Sequence, residues 1–203
     1  MIRRAVDLVV ATAVLLLASP LLVAAAVAIR LSSRGPAIYR QRRVGRHGRE
    51  FDVLKLRTMV AGAEGLGAGL AVDQGDPRIT RVGALLRRSS LDELPNLWNV
   101  VRGEMSLIGP RPTVPAQVAL YDERQRGRLA IKPGMTGWAQ VNGRASLPWS
   151  ERIELDLYYI AHRSPLIDAR IVARTVAVLL GGGGVYRGET GGWDGSSGER
   201  RKR

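Results

Sequence analysis

Residues 89–112, SSLDELPNLWNVVRGEMSLIGPRP, set two adjacent acids, a short amphipathic run and a Pro-Arg-Pro turn one after another. Ser90 and Glu93 have the spacing of a capping box. Leu94, Leu97, Trp98 and Val101 follow at i, i+3, i+4 and i+7, so the stretch predicts a helix with these four on one face. Gly103 is placed to end it. Pro95 lacks the N–H that would bond back to Leu91, which moves the expected start to Asp92 or as late as Leu94. Either start leaves Asp92 and Glu93 at a helix N-terminus, where exposed N–H groups and the positive end of the dipole favour carboxylates and attract phosphate. On spacing alone such acids are commonplace caps. Their setting among Arg87, Arg88, Arg102 and Arg111 points instead to a candidate active site for an anionic substrate and a bridging cation.

At 203 residues, the chain is long enough for one domain with a real core plus appendages. The formal net charge is +13. It is carried mostly by Arg, whose planar fork suits nucleic acid, anionic headgroups or nucleotides alike, so charge does not choose among them. There is no Cys and only His47 and His162, which excludes disulfides and thiolate chemistry and argues against zinc.

Upstream, Leu8 to Ile29 carries no charge and is dominated by Val, Leu and Ala, close to the ~20 residues that cross a bilayer. Ile29 runs straight into Arg30 without a cleavage signature, so the segment reads as retained. Ser19-Pro20 interrupts its middle and predicts a sharp bend. Arg3 and Arg4 precede it, and Arg30, Arg34, Arg40, Arg42 and Arg43 follow. The positive-inside rule then favours a re-entrant helix with both ends cytoplasmic over a kinked single span. Residues 32–48 read as a basic interfacial exit. Phe51 to Met59, FDVLKLRTM, alternates as a strand with Lys55 and Arg57 on one side; Lys55 is either a solvated strand face or a phosphate ligand. Ala61 to Gly75 reads as a mobile loop without dinucleotide-binding spacing, and Asp76-Pro77-Arg78 opens a second element.

Downstream, Pro110, Pro112 and Pro115 fix the backbone and aim Arg111, a plausible phosphate clamp. Ile131 to Arg144 reads as a turn at Pro133-Gly134, an extended run through Val141, and a turn at Asn142-Gly143 presenting Arg144. Trp138 reads as core. Leu147 to His162 is amphipathic, with Ile153, Leu157, Tyr158 and Ile160 towards the apolar side. A helix starting at Pro165 sets Leu166, Ile167, Ile171, Val172, Val176, Leu179 and Leu180 against Arg170 and Arg174, as an interfacial helix or a core helix would. From Gly181 the Gly-rich tail has little to bury and is expected to be disordered.

KLRTM at Lys55 to Met59, DPRITRVG at Asp76 to Gly83, the run from Arg87 to Pro112, and KPGMTGWAQVNGR at Lys132 to Arg144 together resemble the bacterial sugar transferases, the monotopic polyprenyl-phosphate phosphoglycosyl transferases. The resemblance covers most of residues 1–180. It implies transfer of a phosphosugar from a UDP-sugar to undecaprenyl phosphate at the cytoplasmic face of the bacterial inner membrane, through a covalent enzyme intermediate and with Mg²⁺. It also implies Asp92 as nucleophile, Glu93 as its Mg²⁺-associated partner with Asp92 beside it, a re-entrant break at Ser19-Pro20, and phosphate-binding roles for Arg88, Arg111 and Arg144, with Lys55 and Arg57 as further substrate-binding candidates. The chain resembles the minimal catalytic form rather than members with an added multispan domain.

The expected architecture is α/β (α+β-like) and mostly helical. It comprises a re-entrant membrane helix over 1–31, a catalytic domain over 32–180 with amphipathic interfacial helices, and a tail over 181–203. A homo-oligomer is compatible with this reading. Two rivals are a membrane-tethered nucleic-acid-binding module, which lacks the expected aromatic interleaving or reading helix, and a scaffold, which leaves the acidic pair without a purpose.

Overall fold

The computed structural model describes residues 2–63, 75–143 and 146–181. These residues are mostly helical, with a few short strands in two two-stranded sheets, so the α+β sense of the expectation holds and no parallel βαβ layering occurs among them. The chain divides into two compact units, Met1–Gln41 with Asp52–Leu107 and Arg42–Phe51 with Ile108–Arg203. The expected loop over 61–75 falls largely, and the tail from residue 182 wholly, outside the described residues.

The first unit begins with α1 (Ile2–Ser32), a helix of 31 residues that continues through Ser19 and Pro20. Pro20 has no N–H for the Leu16 carbonyl, and the Ser19 hydroxyl donates to that same oxygen at 2.8 Å. The acceptor orphaned by proline is thereby satisfied, and helical geometry persists where the sequence predicts an interruption. Both ends of α1 rest on this unit. Near the start, Arg4 donates to the Val100 and Val101 carbonyls at 2.5 and 2.7 Å. Asp7 accepts from the Ser106 hydroxyl at 2.8 Å and the Leu107 N–H at 3.0 Å. Near the end, Ala25 and Ile29 pack with Leu56 and Leu86. Between Ala11 and Ala25 no residue of α1 is buried.

β1 (Ile38–Val44) and β2 (Glu50–Leu56) form a hairpin. Val53 and Leu56 are both buried in the first unit; three residues apart, they depart at the end of β2 from the strict alternation read from sequence. The fully buried Asn99 side chain latches this strand by accepting from the Leu54 N–H at 3.2 Å and donating to the Asp52 carbonyl at 2.8 Å. After Asp76-Pro77-Arg78, Thr80 caps α2 (Arg81–Arg88) by accepting from the Gly83 N–H at 2.9 Å. Gly83 itself permits close approach, since a Cβ there would lie 1.9 Å from the Thr58 carbonyl oxygen.

The predicted helix over the acidic pair is split. Leu91–Glu93 forms a separate 3₁₀ turn, and α3 (Asn96–Arg102) restarts after Pro95. Ser90 adopts left-handed φ 55° and makes no side-chain cap, so the capping box does not form. The missing Pro95 N–H is the physical reason, because it denies Leu91 an α-helical partner. Gly103 ends α3 in the left-handed conformation at φ 83°, as expected. The buried face of α3 is Asn96, Leu97, Asn99 and Val100, while Trp98 is exposed. The chain then enters β3 (Ser106–Ile108).

In the second unit, α4 (Pro115–Val118) and α5 (Glu123–Arg126) lead to β4 (Gly134–Thr136), which is tied to the end of β3 where the Gly109 N–H donates to Thr136 O at 2.9 Å. A Cβ at Gly134 would meet the Gly109 nitrogen at 2.0 Å, so this crossing requires glycine. Trp138 to Val141 is helix α6, not the extended run read from sequence. Trp138 is half-buried and stacks on Tyr158 with centroids 6.2 Å apart. In α7 (Trp149–Ala161) the buried residues are Ile153, Asp156 and Tyr159, so Tyr159 rather than Tyr158 faces inward. α8 (Pro165–Gly181) starts where Pro165 predicts, with the Ser164 hydroxyl accepting from the Ile167 N–H at 3.3 Å. Ile171 is fully buried, whereas Leu166, Val172, Val176 and Leu179 are exposed.

Candidate active site

Asp92 and Glu93 lie on the 3₁₀ turn of the first unit, both half-buried. A three-residue turn carries no helix dipole of consequence, so holding an anion here falls to cationic side chains. β2 supplies one of them. Lys55 Nζ lies 2.8 Å from Glu93 Oε1, with the two side chains 19% and 26% exposed. The lysine that sequence left between strand face and phosphate ligand thus stands at the acidic pair.

The other basic candidates separate. Arg57 is buried just past β2, and its guanidinium donates to the Arg34 carbonyl at 2.5 Å, the Ser33 carbonyl at 2.8 Å and the Ser33 hydroxyl at 3.0 Å, fastening the chain that leaves α1. Arg87 donates to the Thr58 hydroxyl at 2.8 Å. Arg88 is exposed in the last turn of α2, three residues before Leu91. Arg102 pairs with Glu104 at 3.2 Å. Arg111 is an exposed residue of the second unit, and Arg144 lies outside the described residues.

Within the second unit Arg111 has cationic company that the sequence reading did not single out. Burial, and then the charges of Arg111 and Arg128, hold the Arg152 guanidinium below its ordinary value. Arg128 is buried at 4% exposure, donates to Asp156 at 2.6 Å and lies 4.9 Å from the centre of the Trp149 ring. Asp156 is a charged residue on the inner face of α7, and an acid interrupting an apolar stripe was the available signal.

No group of three or more His, Cys, Asp or Glu residues able to hold a metal occurs among the described residues. The acidic pair nevertheless fits a divalent cation of the Mg²⁺ type, which takes one or two carboxylates and completes its shell with water and substrate phosphates. The Lys55 ammonium already neutralises part of the charge of that pair at Glu93.

The profile of the bacterial sugar transferases matches residues 1–182. A UDP-glucose:undecaprenyl-phosphate glucose-1-phosphate transferase of Caulobacter vibrioides is 46% identical over 186 residues, covering 88% of this chain and 69% of the relative. A protein of the same name from Escherichia coli is 45% identical over 184 residues, covering 87% of this chain but only 39% of the relative's length. The exopolysaccharide production protein ExoY of Rhizobium meliloti is 38% identical over 200 residues, covering 92% of this chain and 88% of the relative. The chain is an enzyme of the bacterial sugar transferase family.

Proposed function

We propose that the chain is a monotopic phosphoglycosyl transferase that moves a sugar phosphate from a UDP-sugar to undecaprenyl phosphate, releasing UMP and beginning the synthesis of an exopolysaccharide or related glycan. The observation that carries this reading is the Asp92-Glu93 pair with Lys55 at 2.8 Å from Glu93, in a chain whose relatives are named for that transfer.

In the first step an Asp92 carboxylate oxygen attacks the sugar-bearing phosphorus of the donor. The bond from that phosphorus to the bridging oxygen breaks, and UMP leaves with the electron pair. In the second step a phosphate oxygen of undecaprenyl phosphate attacks the same phosphorus and displaces the carboxylate, restoring Asp92. Lys55 contributes positive charge beside the acids, and Arg88, Arg111 and Arg144 are the family's matches for holding phosphate. When bound, Mg²⁺ supplies charge neutralisation at the diphosphate, with Glu93 and Asp92 as the residues that would hold it.

Membrane attachment through α1 is supported by its exposed apolar middle, and a re-entrant path by the anchoring of both helix ends on one unit. With Arg3 and Arg4 in its first turn and Arg30 and Arg34 around its last, that path leaves the catalytic acids on the cytoplasmic side of the bacterial inner membrane. The exposed Leu166, Val172, Val176 and Leu179 of α8 suit a helix lying in the interface. The test is UMP release by membranes containing the protein, with undecaprenyl phosphate and a panel of UDP-sugars. One sugar should support release, EDTA should abolish it and Mg²⁺ restore it; no release with any donor would overturn the reading.

A further inference from the structure

We propose that Arg128, held by Asp156 and Tyr121, is a positioning residue that aims the Arg111 guanidinium. This rests on the phosphate-binding role given to Arg111 above. The Pro-Arg-Pro turn is fixed at four consecutive carbonyls. Pro110 O accepts from the Gly134 N–H at 2.8 Å, Arg111 O from Arg128 Nη2 at 2.9 Å, Pro112 O from Arg43 Nη1 at 3.2 Å, and Thr113 O from the Val44 N–H at 2.8 Å. Pro110 and Pro112 add fixed φ on either side. The backbone of Arg111 is therefore held while its side chain is exposed.

Of those four donors, Arg128 is the buried charge. Its Nε donates to Asp156 Oδ2 at 2.6 Å and its Nη1 to the Tyr121 hydroxyl at 2.7 Å, so all three nitrogens are assigned and Nη2 has one direction in which to point. Arg128 and Asp156 are 4% and 1% exposed. A buried ion pair of this kind adds little net stability over apolar residues of the same volume, so stability is a weak reason for it. Delivering a rigid, charge-assisted donor to one carbonyl of an exposed arginine is a task that apolar residues cannot perform.

The contact to Arg111 is made to its backbone oxygen, which survives Arg111→Ala. That separates aiming from folding. UMP release is measured for the unsubstituted chain, Arg128→Lys, Arg111→Ala and the double variant, with donor KM and kcat resolved and thermal midpoints recorded. Arg128→Lys should lower kcat/KM by roughly tenfold or more, through a raised donor KM, because small displacements of a clamp are costly. In the Arg111→Ala background the same substitution should cost no more than about twofold, although the midpoint falls equally in both. An equal fold-loss in the two backgrounds would show that Arg128 serves the fold alone and would overturn the proposal. If Arg128→Lys does not fold, Tyr121→Phe frees Nη1 with less disturbance, and the same contrast between backgrounds decides. Absence of UMP release from the unsubstituted chain overturns the transfer reaction itself, and this role with it.

Discussion

Lys55 Nζ and Glu93 Oε1 stand 2.8 Å apart, joining the penultimate residue of β2 to the last residue of the 3₁₀ turn. The pair is partly exposed, so it contributes at most about 1 kcal/mol to stability. Its consequence is for charge at the site. Lys55→Met should lower kcat/KM for the UDP-sugar by roughly 10²-fold or more, as loss of a charge-stabilising donor does, with little change in thermal midpoint. Activity equal to that of the unsubstituted chain would remove Lys55 from the mechanism.

Asp76 should govern acid stability of the first unit. Hydrogen bonds from the Arg78 side chain are the main cause that lowers its carboxyl to about 2, and the buried Arg78 also donates to the Ala63 carbonyl at 2.9 Å. The folded value lies below the unfolded one, so the ionised carboxylate stabilises the fold above about pH 4, and that contribution is lost as pH falls towards about 2. Asp76→Asn should cost about 1–3 kcal/mol at neutral pH and flatten the fall in thermal midpoint between pH 4 and 2. An unchanged acid slope would show that the pair is inert.

Periodicity and punctuation made several elements legible. Gly103, Pro165 and the existence of strand β2 announced themselves because each rests on a local signal. The α3 start was misread because a capping-box spacing competed with Pro95, and the missing N–H won. The inner face of α7 was misread because Asp156 Oδ2 and the Tyr159 hydroxyl bond to Arg128 and Asp168, partners distant in sequence or on the next helix. At the site, the adjacent acids were visible as a motif, while the identity of their cation was not. Lys55 meets Glu93 from a strand that Asn99 latches, a tertiary relationship with no periodic signature.

The path of α1 can be tested with one thiol, since the chain has no native Cys. Ile2 is 82% exposed, so Ile2→Cys adds a reporter without disturbing packing. In intact cells a membrane-impermeant thiol reagent should leave it unlabelled, and permeabilisation should expose it. Labelling from outside would establish a single span. Pro20→Ala restores the Leu16 hydrogen-bond donor and should let the helix straighten, so its Ile2→Cys version should label more readily.

The nucleophile assignment separates two mechanisms. Asp92 is half-buried on the 3₁₀ turn beside Glu93, whose carboxylate Lys55 engages, and it is the residue proposed above as the attacking group. Asp92→Asn keeps nearly the same shape and removes the nucleophile, so stability should change by about 1 kcal/mol or less while UMP release falls to background. The decisive measurement is intact-protein mass spectrometry after incubation with donor and Mg²⁺ but no undecaprenyl phosphate. The unsubstituted chain should gain the mass of one phosphosugar, and the adduct should disappear when undecaprenyl phosphate is added, because the second displacement restores the carboxylate. Asp92→Asn should gain nothing. An adduct that persists in Asp92→Asn would move the covalent bond to another residue, and an unmodified but fully active enzyme under rapid quench would establish direct transfer between the two bound substrates.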